Sequence, residues 1–265
     1  MPNEPSESDL LVKFEQDNIP PHYKSYYSSK RHNFFATIQQ FSYIWKCFTV
    51  LDEIWQREFE AMQRLGDTSL IFPMILFMNA HAKTRIAFEL ACSVCVPEAH
   101  SIMRDAIESF AYGNRLASDP KLCETWLKKN DDQAAAQLFR KEFEDFKAKQ
   151  LFAGLPDLHR LWKEYSEFGS HTNINSIFPR FAMAKTATDV EFRLNYTGGE
   201  PQVLVPALFE MILAIYVMEG HFFGLFESRL KLGLQIPSMR ERFEREKERV
   251  RLHVIKTFNL KPPSN

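Results

Sequence analysis

Two polar triplets of the same make-up stand nineteen residues apart in an otherwise apolar stretch: His81, Arg85 and Glu89, then His100, Arg104 and Glu108. Residues four apart share one helical face, so each triplet forms a stripe of imidazole, guanidinium and carboxylate along its helix. An arginine in such a stripe can hold an anion through parallel hydrogen bonds, and a nearby carboxylate or imidazole can move protons. Val96-Pro97 breaks the helical pattern between the triplets. If the chain reverses there, residues equidistant from the break face each other. Arg85 then meets Glu108, Glu89 meets Arg104, and Tyr112 lies opposite His81. The surrounding Ile86, Ala87, Phe88, Leu90, Ile102, Met103, Ile107 and Phe110 mark interior helices, where an isolated charge is costly. Two readings stay open: ion pairs that set the register of antiparallel helices, or a polar centre that receives an anionic ligand.

A second concentration of polar groups runs from Tyr165 through Ser166, Glu167, Phe168, Gly169, Ser170, His171 and Thr172 to Asn173. Gly169 suits a helix C-terminus. Tyr165, Ser170, His171 and Asn173 are candidates to line the same centre as the triplets. If the centre is hydrolytic, Arg104, Glu108 and His171 are the candidate catalytic groups. The Ser170-His171 neighbour pair has no third group to orient the imidazole, which nucleophilic catalysis requires. Cys92-x-x-Cys95 has no second such pair, and there is no HExxH, no Glu-x-x-His repeat and no Gly-rich phosphate loop. The expectation is no metal and no cofactor. Glu210 and His221, eleven residues apart, fall on nearly one helical face as interior polar groups.

The elements that must position these residues are helical. Apolar residues recur at threes and fours from Arg31 to Leu65 (Phe34, Ile38, Phe41, Ile44, Trp45, Phe48, Leu51, Trp55, Phe59, Met62), and this predicts one helix extending roughly 50 Å. Further helices are predicted from about Pro73 to Cys95, from Pro97 to Ala117 or Ser118, from Asp119-Pro120 to Lys129, from Asp131 past Phe146, and from Asp157 to Gly169. The period then changes. Val190, Phe192, Leu194 and Tyr196 alternate with Glu191, Arg193 and Asn195, which reads as a half-buried strand. With Phe178–Ala184 as partner it forms a small β-hairpin at about 178–197. A long apolar helix from Pro206 to Leu232 and a charged one from Ser238 to Phe258 complete the chain. The fold class is all-α: a multi-helix bundle of long antiparallel helices with one small inserted β-hairpin. Residues 1–30 read as a flexible N-terminal arm, 31–258 as a single helical domain and 259–265 as a tail.

The 265 residues carry a net charge of −1, which gives no global electrostatic footprint for nucleic acid. Residues 240–256 hold seven Arg or Lys against four Glu, so a local RNA-binding or homodimerising surface stays open there. The acidic N-terminus has no secretory pattern, and the four cysteines lie in helical segments. The reading is a cytoplasmic, thiol-reduced protein. Pro206, Glu210, Glu219 and His221 interrupt the stretch from Val203 to Phe226, which reads as a core helix with no membrane partner.

Pro97-Glu98-Ala99, Ile102-Met103-Arg104, Ile107-Glu108, Asp119-Pro120, Tyr165-Ser166 and His171 resemble an uncharacterised group of bacterial helical proteins over roughly residues 80–175. That layout is distantly similar to HEPN domains, and the resemblance implies a defence or stress context and a metal-independent ribonuclease alternative. The chain departs from active HEPN ribonucleases in lacking an Arg and a His separated by four to six intervening residues: Arg249 and His253 are too close together, and Arg160 and His171 too far apart. The leading expectation is a binding or regulatory protein whose Arg/Glu/His centre recognises a small anionic ligand or a partner chain. The alternatives are a hydrolase at the same centre and a structural subunit without a site.

Overall fold

The apolar period from Arg31 to Leu65 makes two helices, not one rod. The computed structural model of the chain describes residues 18–63, 66–144, 150–169, 181–185, 189–194, 201–230 and 235–258. Helix α1 spans Pro21–Gln40 and α2 spans Ser42–Met62. The backbone leaves helical geometry at Phe41 (φ −115°, ψ 43°), whose carbonyl then accepts from Ile44 and Trp45 to start α2. The period carries through the corner because both helices bury the same side: Phe34 of α1 meets Trp45 of α2 edge-on at 5.9 Å. Helix α1 also takes up residues 21–30, which the arm was expected to include, with Pro21 in its first turn. Residues 1–17 and 259–265 lie outside the described residues.

Helix α3 (Ile71–Cys92) and helix α4 (Val96–Ser118) form a hairpin joined by Ser93, Val94 and Cys95. Cys95 N–H donates to Leu90 O at 2.8 Å and Val94 N–H to Ala91 O at 2.9 Å, the pair of bonds that closes a helix on a left-handed residue. That residue is Val94, with φ +62°. A β-branched side chain there is strained. Val94→Gly is therefore expected to stabilise the protein by about 1 kcal/mol, measured as a shift in urea midpoint at unchanged slope.

Helices α5 (Leu122–Leu127) and α6 (Gln133–Phe143) follow, the latter capped by Asp132 Oδ1 accepting from Ala135 N–H at 2.8 Å. Helix α7 (Pro156–Gly169) lies against α4. Strands β1 (Phe181–Lys185) and β2 (Val190–Leu194) pair antiparallel, Phe181 opposite Leu194 and Lys185 opposite Val190. The rest of the 178–197 stretch, apart from Asp189, lies outside the described residues. Helix α8 (Pro201–Leu225), the short α9 (Glu227–Leu230) and α10 (Gln235–Phe258) complete an all-α bundle.

Helix α8 is the central rod, touching α2, α3, α4, α7 and α10. It is long and apolar enough to cross a membrane, and 56% of its most apolar window is buried inside the bundle. The core around it is aromatic. Phe77 contacts Phe110 at 5.0 Å and Phe222 at 5.2 Å, and Phe48 stacks on Phe88 at 3.8 Å. Gly113 makes room for this: a Cβ there would sit 2.9 Å from the Phe77 ring.

Candidate functional site

The chain does double back between the triplets, yet the facing pairs expected from that reversal do not form. The turn is centred on Val94, not on Val96-Pro97, and this moves the register. Asn79 and Ser109, each fifteen residues from Val94, are the pair that meets: Asn79 Nδ2 donates to Ser109 Oγ at 3.0 Å. Lys83 Nζ reaches the same hydroxyl at 3.3 Å. In this register Arg85 comes level with Met103 and Glu108 with Ala80, both buried apolar positions. One residue along a helix is a rotation of about 100°, so the two polar stripes turn away from each other to different neighbours.

The first stripe turns to α2. His81, 7% exposed, places Nε2 2.8 Å from Asp52 Oδ1. An ionised carboxylate only accepts, so the imidazole donates through Nε2. Arg85 donates to both oxygens of the same carboxylate, Nε to Oδ1 at 2.7 Å and Nη2 to Oδ2 at 2.8 Å, and Nη2 also reaches Gln56 Oε1 at 3.0 Å. Burial pulls the Asp52 carboxyl upward, but the bonds from His81 and Arg85 more than reverse this and leave it below the usual carboxylate range. His81 is packed between Trp55 and Phe59, at 5.0 and 5.4 Å. With its carboxylate fully engaged and its imidazole walled by rings, this cluster clamps α2 to α3. Glu89 is not part of it; its only ion pair among the described residues is with Lys30 of α1 at 3.7 Å.

The second stripe turns to α7. Arg104 Nε donates to Ser166 Oγ at 3.0 Å, Nη1 to Asp105 Oδ1 at 3.1 Å, and Nη2 lies 3.4 Å from Glu108 Oε2. The guanidinium rests over the Trp162 ring at 5.1 Å, and Trp162 Nε1–H donates to Glu108 Oε2 at 3.2 Å. Ser166 Oγ–H in turn donates to Trp162 O at 2.6 Å. Arg104, Glu108, Trp162 and Ser166 thus form one network across a partly exposed seam. The sequence paired Arg104 with Glu89; its true carboxylate neighbours, Asp105 and Glu108, are on its own helix. Trp162, within the helix predicted from Asp157 to Gly169, was not among the candidate residues.

His100 and Tyr165 sit behind this network, ring centroids 5.2 Å apart, with Phe168 at 5.9 Å from His100. Burial pushes His100 down to about 4, so it is neutral in the ordinary pH range and unsuited to passing protons there. Tyr165 is buried, its hydroxyl has no hydrogen-bond partner among the described residues, and burial raises its pKa. Tyr112 does not oppose His81; it lies on Phe139 and Phe143 of α6, at 6.1 and 5.5 Å. Ser170, His171 and Asn173 lie outside the described residues. Cys92 and Cys95 are buried and not joined in a disulfide, with Cys92 pushed up to about 12 chiefly by burial.

A third cluster was missed. Glu58 of α2 and Glu219 of α8 are both fully buried and share the guanidinium of Arg240 from α10. Arg240 pairs with Glu219, lies 3.7 Å from Glu58 Oε1 and covers the Phe223 ring at 4.3 Å. Outside it is an open cleft of about 330 Å³ lined by Tyr216, Phe223, Pro237, Arg240, Glu241 and Glu244. The signal was present: Glu58 falls within Ile54, Trp55, Phe59 and Met62, and Glu219 within Ile215, Met218 and Phe222. A carboxylate on an apolar stripe demands a partner from elsewhere. Glu210, which was expected to be interior, is exposed instead.

Comparison with protein-family models, curated proteins and solved structures finds no match for this chain.

Proposed function

We propose that the chain is a helical binding or regulatory protein whose recognition centre is the seam between α4 and α7, where Arg104 receives an anionic group of a small ligand or partner. The observation that carries this reading is the way Arg104 is held. Trp162 orients the guanidinium plane from one face and Ser166 fixes Nε, while the contact to Asp105 joins adjacent residues at a half-exposed carboxylate. An incoming phosphate or carboxylate replaces Asp105 without disturbing the rest, and a pre-oriented fork loses little freedom when it binds. The pairing of β1 with β2 supports reading this part of the chain as a small hairpin inserted between α7 and α8.

Hydrolysis at this seam has less support. The Ser166 hydroxyl donates to the Trp162 carbonyl, and Glu108 Oε2 already accepts from Trp162. Neither is turned into a nucleophile–base pair. The His81–Arg85 stripe belongs to the structural reading, since Asp52 satisfies both side chains.

Thermal unfolding with inorganic phosphate, against chloride at equal ionic strength, tests the proposal. Wild type is expected to gain stability that rises with the logarithm of phosphate concentration above the dissociation constant, reaching roughly 2.7 kcal/mol at about 100 times that constant. Arg104→Gln is expected to lose this binding contribution and keep only the general salting effect. Equal stabilisation of both proteins would remove Arg104 as the receptor.

A further inference from the structure

Helix α1 contains no carboxylate in its twenty residues, although the whole chain carries a net charge of −1. Lys24, Lys30, Arg31, His22 and His32 stand instead among aromatic rings. Its inner side is tied to the bundle: Thr37 is buried, Phe34 meets Trp45, and Lys30 pairs with Glu89. Tyr23, Tyr27, Arg31 and Phe35 follow one another at spacings of four, and the rings of Tyr23, Tyr26, Tyr27 and Phe35 are between 37% and 56% exposed. Tyr23 and Tyr26 each contact Tyr27, at 5.3 and 5.7 Å, His22 touches Tyr23 edge-on at 6.1 Å, and Arg31 lies 6.0 Å over Phe35. Four large rings exposed on one helix make an interaction surface rather than scattered exposure.

We infer that the exposed row Tyr23, Tyr27, Arg31 and Phe35 of α1 binds single-stranded nucleic acid, with bases stacking on the three rings and the phosphate backbone drawn along Arg31 and the basic helix. This is independent of the Arg104 seam. Three features select the occupant. Tyr23 and Tyr27 lean on each other at 5.3 Å, so an unpaired base stacks on their exposed ring surface and not between them; a duplex keeps its base faces occupied. A second copy packed two-fold on this face would set Arg31 and its neighbouring cations against their own counterparts, a like-charge contact that costs affinity. A membrane surface needs a continuous apolar side, and the exposed Ser25, Ser28 and Ser29 interrupt the rings. Among the described residues, Glu89 is paired with Lys30 and Glu98 lies near Tyr26.

The test is fluorescence anisotropy of the full chain with labelled oligouridylate and oligothymidylate of about twelve nucleotides, the range of a single-strand site. Wild type is expected to bind both with an affinity that falls as salt rises; equal affinity marks recognition of bases and phosphates alone, and a preference for the ribo-oligomer adds contacts to the 2′-hydroxyl. Tyr23→Ala with Tyr27→Ala should weaken binding at least ~10-fold, within the range for lost base stacking, whereas Tyr23→Phe with Tyr27→Phe should keep it. Arg31→Gln should lower the salt slope by about 0.7. These side chains are exposed, so the variants are expected to retain the wild-type circular dichroism and melting curve. No anisotropy change, equal competition by a duplex, or an unchanged affinity in the Ala pair would overturn the inference. So would an Ala pair whose only effect is to dissociate a dimer.

Discussion

Arg240→Met is expected to destabilise the fold by on the order of 3–5 kcal/mol at neutral pH, the cost of leaving buried charge unpartnered. The reason is that, among the described residues, Arg240 is the only cation within ion-pair distance of the fully buried Glu219 carboxylate, and it also faces Glu58, which burial keeps protonated near neutral pH. Both Glu58 oxygens and Glu219 Oε2 lack any hydrogen bond there, so nothing else takes over. This guanidinium joins α10 to both α2 and α8, beside the Lys46–Glu246 ion pair and the Tyr216–Phe243 ring contact. Urea unfolding gives the free energy, and proteolysis within α10 reports whether that helix is released first.

The same cluster gives a pH dependence of definite sign. Burial raises the Glu58 carboxyl from 4.5 to about 8 against the pull of Arg240. The folded state therefore binds a proton that the unfolded state gives up. This contribution is fully present below pH 4.5 and is lost as pH climbs through about 8. Glu58→Gln keeps the shape and removes the titration. It is expected to exceed wild type in stability at alkaline pH by about 1–2 kcal/mol, with the difference shrinking as pH falls. A wild-type profile that rises through the same window would contradict the assignment.

The second large effect is expected at Asp52. Asp52→Ala should cost about 2–3 kcal/mol, because it strips charge-assisted hydrogen bonds from the buried His81 and from Arg85 at once. A double-mutant cycle of Asp52→Ala with Arg85→Ala should show coupling above about 1 kcal/mol. The cycle of Arg85→Glu with Glu108→Arg should instead be additive within about 0.5 kcal/mol, with no rescue on charge reversal. Recovery of stability in the reversed pair would restore the facing register that the structure replaces.

These results trace to what a one-dimensional pattern contains. The α3–α4 hairpin was legible, since Val96-Pro97 stops one helix and starts another. Its register was not, because the reversal is completed by Val94 in a left-handed conformation that no glycine announces. A shift of the turn centre by two to three residues changed every facing pair. The corner at Phe41 was hidden for a related reason: the buried side of α1 continues onto α2, and periodicity reads continuity of face, not of axis. The stripes at 100–108 and at 165–166 were both visible, and they do meet, through Arg104 and Ser166. Trp162, which orders that meeting, was masked by its role in an apolar stripe. The Glu58, Glu219 and Arg240 cluster was readable only by noticing charge where burial was expected. Its three members come from positions 58, 219 and 240, a separation that spacing rules do not span.

The central functional claim is that Arg104, oriented on Trp162, receives an anion. The most direct measurement is the indole N–H resonance of Trp162, whose proton is donated to Glu108 beside that guanidinium, followed while inorganic phosphate is titrated into wild type and Arg104→Gln. The account expects a saturable shift in wild type that the variant lacks, with the indole signals of Trp45 and Trp55 unmoved. A Trp162 signal that stays in place in wild type, or moves equally in both proteins, would contradict it.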